Sequence, residues 1–130
     1  MDLFKKTEKY RADGFNCAQA VLCALSEYTG LDDKTALAIS AGFGGGVRCG
    51  EVCGAISGAI MALGLAFPFV DGNDSDAKNK IAELTKKFIA EFKDDYGCVR
   101  CEDIKGAGPS CGDYIKTAVE IAEEIILNNR

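Results

Sequence analysis

The sequence predicts an all-α protein, a compact bundle of about five to six helices around a buried central helix at about residues 51–67. Apolar residues recur at three- and four-residue intervals along most of the chain, which is the period of a helix face. No stretch sustains the two-residue alternation of a half-buried strand. Residues 52–70 carry no charge at all, so their helix is expected to be buried on every side.

Weak amphipathic character predicts a first helix over Leu3–Arg11. Residues 16–30 predict a second, with Asn16 as N-cap, Ala18, Val21, Leu22 and Leu25 on one face and Gly30 as the C′ residue. A short helix should follow from Asp32 to about Gly42. The run Gly42-Phe43-Gly44-Gly45-Gly46-Val47-Arg48-Cys49-Gly50 then reads as a loop, because each glycine costs a helix about 1 kcal/mol relative to alanine. It has neither a preceding strand nor a following Gly-Lys-Ser/Thr, so it is not expected to cradle phosphate. In the central helix Gly54 and Gly58 stand four apart among alanines, a pattern that lets neighbouring helices approach closely. Its glycines, alanines, Ser57 and Pro68 make it too weakly hydrophobic for the membrane span its length would otherwise suggest.

Asn73-Asp74-Ser75-Asp76 reads as a turn and cap. The clearest amphipathic helix follows, with Ala77, Ile81, Leu84, Phe88 and Phe92 on its inner face and its end near Gly97. Gly106-Ala107-Gly108-Pro109-Ser110 reads as irregular. A final helix should begin at Cys111, lined by Ile115, Ala118, Val119, Ala122 and Ile126.

With 130 residues, 48% of them hydrophobic, the chain can bury one core, which predicts a single helical cysteine-rich domain over 1–130. The net charge of -5 and the absence of a Lys/Arg cluster leave nucleic acid without a binding surface. Charges scattered through the first ten residues do not resemble a secretory signal, so a cytoplasmic location is expected. There, seven cysteines are informative, since the compartment's thiol buffers disfavour a structural disulfide framework and favour metal-binding or catalytic thiols. The chain has no histidine, so Cys/His pairs, Ser-His-Asp triads and mixed Cys/His zinc sites are excluded.

Cys17, Cys53 and Cys111 each fall at the predicted start of a helix, where unpaired amides and the positive end of the macrodipole favour thiolate. Cys23 reads as a small core residue. Cys98-Val99-Arg100-Cys101 is a C-x-x-C pair able to reach one metal or close one small ring. Cys49 and Cys53, four apart, form a second pair, although Gly50 puts Cys49 in the loop.

Gly14-Phe15-Asn16-Cys17-Ala18-Gln19-Ala20, Gly42-Phe43-Gly44-Gly45-Gly46 and Gly50-Glu51-Val52-Cys53-Gly54-Ala55-Ile56-Ser57-Gly58-Ala59, with two later cysteines, resemble the C_GCAxxG_C_C family of redox-active proteins over nearly the whole chain. The resemblance implies a helical fold and four pattern cysteines. These fall on Cys17, Cys53, Cys111 and Cys101, whose Glu102-Asp103-Ile104 sequel is similar to the family's Cys-Arg-Glu-Leu. Cys98 and Cys49 are substitutes, and Cys23 and Cys49 lie outside the pattern. The family is similar to the iron-sulfur part of split-Soret cytochromes, which implies four thiolates holding an iron-sulfur cluster of the [2Fe-2S] type for electron transfer with an unidentified redox partner protein. There is no C-x-x-C-H for haem. Two alternatives use the same four residues: a metal-free thiol/disulfide protein in which they are catalytic, and a structural zinc module. Arg48 could add positive charge at the site, and Glu51 could cap the helix at Cys53. The long apolar helix and its small residues would also suit a homodimer.

Overall fold

The computed structural model describes residues 2–105 and 111–130, with the side chains of residues 104, 105 and 111 outside the description. The chain is all-α. Its helices are α1 (Leu3–Ala12), α2 (Cys17–Ala24), α3 (Ser26–Thr29), α4 (Asp33–Ser40), α5 (Gly54–Ala66), α6 (Ser75–Tyr96), α7 (Cys101–Lys105) and α8 (Cys111–Asn129). The six long helices match the six expected segments, and α3 and α7 are short additions. The irregular stretch expected at Gly106–Ser110 lies outside the described residues.

The caps expected at Asn16, Asp32 and Asp74 are in place, and Asp2 adds one not expected from the sequence. Asp2, Asn16, Asp32 and Asp74 each accept a hydrogen bond from a backbone amide of the first turn that follows, satisfying a donor with no partner inside the helix. Gly30 and Gly97 end α3 and α6 in the left-handed conformation that residues with a Cβ resist. Two boundaries differ from expectation. The single helix expected over 16–30 breaks at Leu25, whose φ of -90° and ψ of 15° start a new short turn. The central helix starts at Gly54 rather than near residue 51, because Glu51, Val52 and Cys53 leave the helical region to pair with residues 99–101.

The core lies where α2, α5, α6 and α8 meet. It holds Val21 and Leu22 from α2, Leu25 from the break after it, Ile56 and Leu63 from α5, Phe88 and Phe92 from α6, and Ile115, Val119, Ile125 and Ile126 from α8. α5 packs most extensively on α2, and glycine makes that possible. A methyl group built on Gly58 would stand 2.6 Å from the Ala18 carbonyl oxygen, so the two backbones touch at this point. No described helix is long and apolar enough to cross a membrane.

Candidate functional site

The cysteines begin their convergence at the α2–α5 contact. Asn16 and Gln19 form a reciprocal capping box, each side chain binding the other's backbone amide at 3.0 Å, which fixes Cys17 as the first residue of α2. The Asn16 Nδ2 donates to the Ala41 carbonyl (3.0 Å) and the Gln19 Nε2 to the Leu37 carbonyl (3.0 Å), tying this end of α2 to the end of α4. Across the contact, a methyl group on Gly54 would lie 2.5 Å from Cys17 Sγ and 2.9 Å from the Phe43 carbonyl oxygen. Gly54 is therefore glycine because a sulfur and a loop carbonyl occupy the space of a side chain. Its neighbour Cys53 is brought beside Cys17.

A second device brings Cys101. Val52 and Arg100 form an isolated antiparallel bridge, with the Cys53 amide donating to the Val99 carbonyl at 2.8 Å and the Cys101 amide to the Glu51 carbonyl at 2.5 Å. Successive residues of such a pair face opposite sides. Val52 and Arg100 are exposed, and Cys53 and Cys101, 6% and 7% exposed, are buried together on the inner side. The glycine-rich loop lies against Cys101: a methyl group on Gly46 would stand 2.8 Å from Cys101 Cβ and 2.5 Å from the Glu51 carbonyl oxygen. That closeness requires an unusual backbone. Gly45, Gly46, Val47 and Arg48 run consecutively at φ of 65°, 65°, 57° and 62°, a left-handed turn that includes a β-branched residue. Left-handed valine is a costly conformation, held here by packing and by the Glu51 amide donating to the Gly46 carbonyl at 3.0 Å.

Burial pushes the Cys53 thiol up to about 11, with the negative charge of neighbouring Cys17 and Cys101 adding to the rise and hydrogen bonds from the Ala55 and Ile56 backbone opposing it. The sequence places Cys53 at a helix start that favours thiolate. The amides are there, but burial and two neighbouring sulfurs outweigh them. Cys53 thus senses two other pattern cysteines from separate parts of the chain. Cys111 opens α8, and its side chain lies outside the described residues. The backbone of that end of α8 is set beside the end of α6: the Tyr96 hydroxyl shares a 2.6 Å hydrogen bond with Thr117 Oγ1, and its ring meets Tyr114 edge-on at 4.6 Å.

Three cysteines remain, Cys23, Cys49 and Cys98. Cys98 Sγ, half-buried, points to the Tyr96 carbonyl at 3.6 Å, and exposed Cys49 Sγ points to the Gly46 carbonyl at 3.5 Å. Cys23 is sealed in the core, and burial, followed by the charge of Asp33, pushes its thiol up to about 11. Arg48 reaches back to the Ala41 carbonyl (3.3 Å). Glu51 does not cap α5; its carboxylate pairs with Arg100 at 3.4 Å. Sequence reasoning missed the bridge and the role of Arg100, because a single bridged pair carries no alternation to detect.

Four soft thiolates with no histidine available suit iron-sulfur chemistry in kind. Among the described residues, no three His, Cys, Asp or Glu side chains are grouped tightly enough to hold one metal ion. A two-iron cluster divides four thiolates between two irons and does not ask all of them to crowd one ion. The family model described as "Putative redox-active protein (C_GCAxxG_C_C)" matches residues 15–125, a span that includes all four pattern cysteines. No curated protein and no solved structure matches the chain. With most of its length matched, and with Gly54 and Gly58 of the central motif explained by the contacts they permit, the chain belongs to the C_GCAxxG_C_C family.

Proposed function

We propose that the chain is an electron-transfer protein in which Cys17, Cys53, Cys101 and Cys111 hold an iron-sulfur cluster of the [2Fe-2S] type. The supporting observation is the burial of Cys53 within electrostatic reach of Cys17 and Cys101. A buried thiol whose ionisation is opposed by neighbouring sulfurs is what a cationic centre relieves, with release of its proton. When bound, such a cluster supplies one-electron chemistry. The chain's own residues do the rest: the amides of Ala55 and Ile56 direct positive dipoles at the Cys53 sulfur, Gly54 leaves room for Cys17, and the 44–50 loop covers Cys101. Hydrogen bonds and burial of this kind tune cluster potentials. The electrons would pass to and from a partner protein, and reduced thiols of this kind suit the cytoplasm.

Protein purified without oxygen should be brown and contain iron and sulfide. Cys53→Ser should lose both, and Cys23→Ser should keep them. A colourless sample that contains zinc, or no metal at all, would defeat the proposal.

A second reading has one observation in its favour: Cys17 is half-buried at a helix start, and its neighbour Cys53 is buried. In it the Cys17 thiolate attacks a substrate disulfide, and Cys53 then displaces the mixed disulfide to leave a Cys17–Cys53 bond and two substrate thiols. The raised Cys53 thiol weighs against it, since a resolving thiol must ionise. A colourless, metal-free protein that takes up two electrons per Cys17–Cys53 pair would support this reading.

A further inference from the structure

We propose that Arg100 is a positioning residue that locks the register in which Cys53 and Cys101 share one face, an inference that rests on the proposed role of these two cysteines. Cys53 and Cys101 are aligned by one bridged pair and two backbone hydrogen bonds. A slip of one residue would turn either sulfur from the inner face to solvent. On the outer face of the same bridge, the three nitrogens of the Arg100 guanidinium each meet a different carboxylate. Nε lies 3.4 Å from Glu51 Oε2, Nη2 lies 3.2 Å from Glu102 Oε2, and Nη1 lies 3.9 Å from Asp103 Oδ2.

Glu51 precedes Cys53 by two residues, and Glu102 and Asp103 follow Cys101 directly, so one planar group ties together the two segments that carry the sulfurs. Glu102 also packs on the loop, its Cβ 3.1 Å from where a methyl group on Gly50 would be. Single ion pairs this exposed contribute little, but a network centred on one rigid fork adds orientation to attraction. Lysine could replace the charge and not the fork.

The test is alkylation of each cysteine in the native full-length chain, purified without oxygen and mapped by mass spectrometry, with iron counted in the same samples. Arg100→Ala and Arg100→Lys should both raise the alkylation rates of Cys53 and Cys101 about five- to tenfold, reflecting easier local opening, and leave Cys23 unchanged. A Glu51→Gln/Glu102→Gln double variant, which keeps the arginine, should do the same. Cys23 reports general loosening of the core. A parallel rise at Cys23, unchanged rates at Cys53 and Cys101, or full rescue by lysine would each overturn the proposal. The iron count reads the cluster separately, so a register lock can fail in a protein that holds iron and can hold in one that does not.

Discussion

The two sides of Cys53 are held by different physics. Toward Cys17 the contact is a helix seam in the core, where α2 and α5 approach until only glycine fits at positions 54 and 58. Toward Cys101 it is two backbone hydrogen bonds, a left-handed loop and an ion-pair network on the surface. The first side cannot move without disturbing the hydrophobic core. The second can open locally at much smaller cost. A buried sulfur placed between a rigid wall and an adjustable one can keep its environment and still admit a change of state.

The largest test of this contrast uses glycines of one helix. Gly58→Ala gains about 1 kcal/mol of helix propensity but forces a methyl group to 2.6 Å from a backbone oxygen, so the variant should be about 1–2 kcal/mol less stable by urea unfolding. Gly64→Ala, with nothing within 4 Å of the added methyl, should gain about 0.5–1 kcal/mol. Equal and positive shifts would show that the seam is not backbone-tight.

Alkaline pH separates the two sides next. Cys23 and Cys53 both have thiols raised from the ordinary value near 9 to about 11. Between those values the unfolded chain has lost protons that the folded chain retains, so folding stability is full below pH 9 and falls as pH rises through 11. In the metal-free protein, Cys53→Ser should remove about half of the fall that these two groups cause, as read from urea midpoints across that range. An unchanged fall would mean that Cys53 is not the buried thiol described.

The smallest expected effect belongs to the loop. Val47→Gly relieves a β-branched residue at φ 57° and should stabilise the protein by a few tenths to about 1 kcal/mol, the relief being partly offset by the greater freedom of glycine in the unfolded chain. A clear loss of stability would mean that the exposed valine side chain makes a contact worth more than the strain.

The rigid side was legible in the sequence and the adjustable side was not. Helix caps, the 3.6-residue period and the Gly54–Gly58 spacing are local signals, and they placed α2, α5 and the pairing of small residues correctly. The break at Leu25 and the start of α5 at Gly54 depend on tertiary contacts that no window of residues reports. The bridge consists of one pair forty-eight residues apart in sequence, Val52 with Arg100, and has no periodic signature. Helix-start chemistry also pointed to an acidic Cys53, whereas desolvation, visible only in three dimensions, moves its thiol the other way. The gathering of Cys53 and Cys101 on one side of a bridge is therefore a property of the fold, although each cysteine was a candidate from its own surroundings.

The oxygen of Ala41 accepts hydrogen bonds from both Asn16 Nδ2 and Arg48 Nη2, so a single main-chain atom is a common anchor for the residue before Cys17 and for the strained turn near Cys101. Since every amino acid brings the same carbonyl, replacing the alanine would not delete this junction. The junction is instead sensitive at Asn16 and Arg48, because only their side chains carry the two donors that meet there.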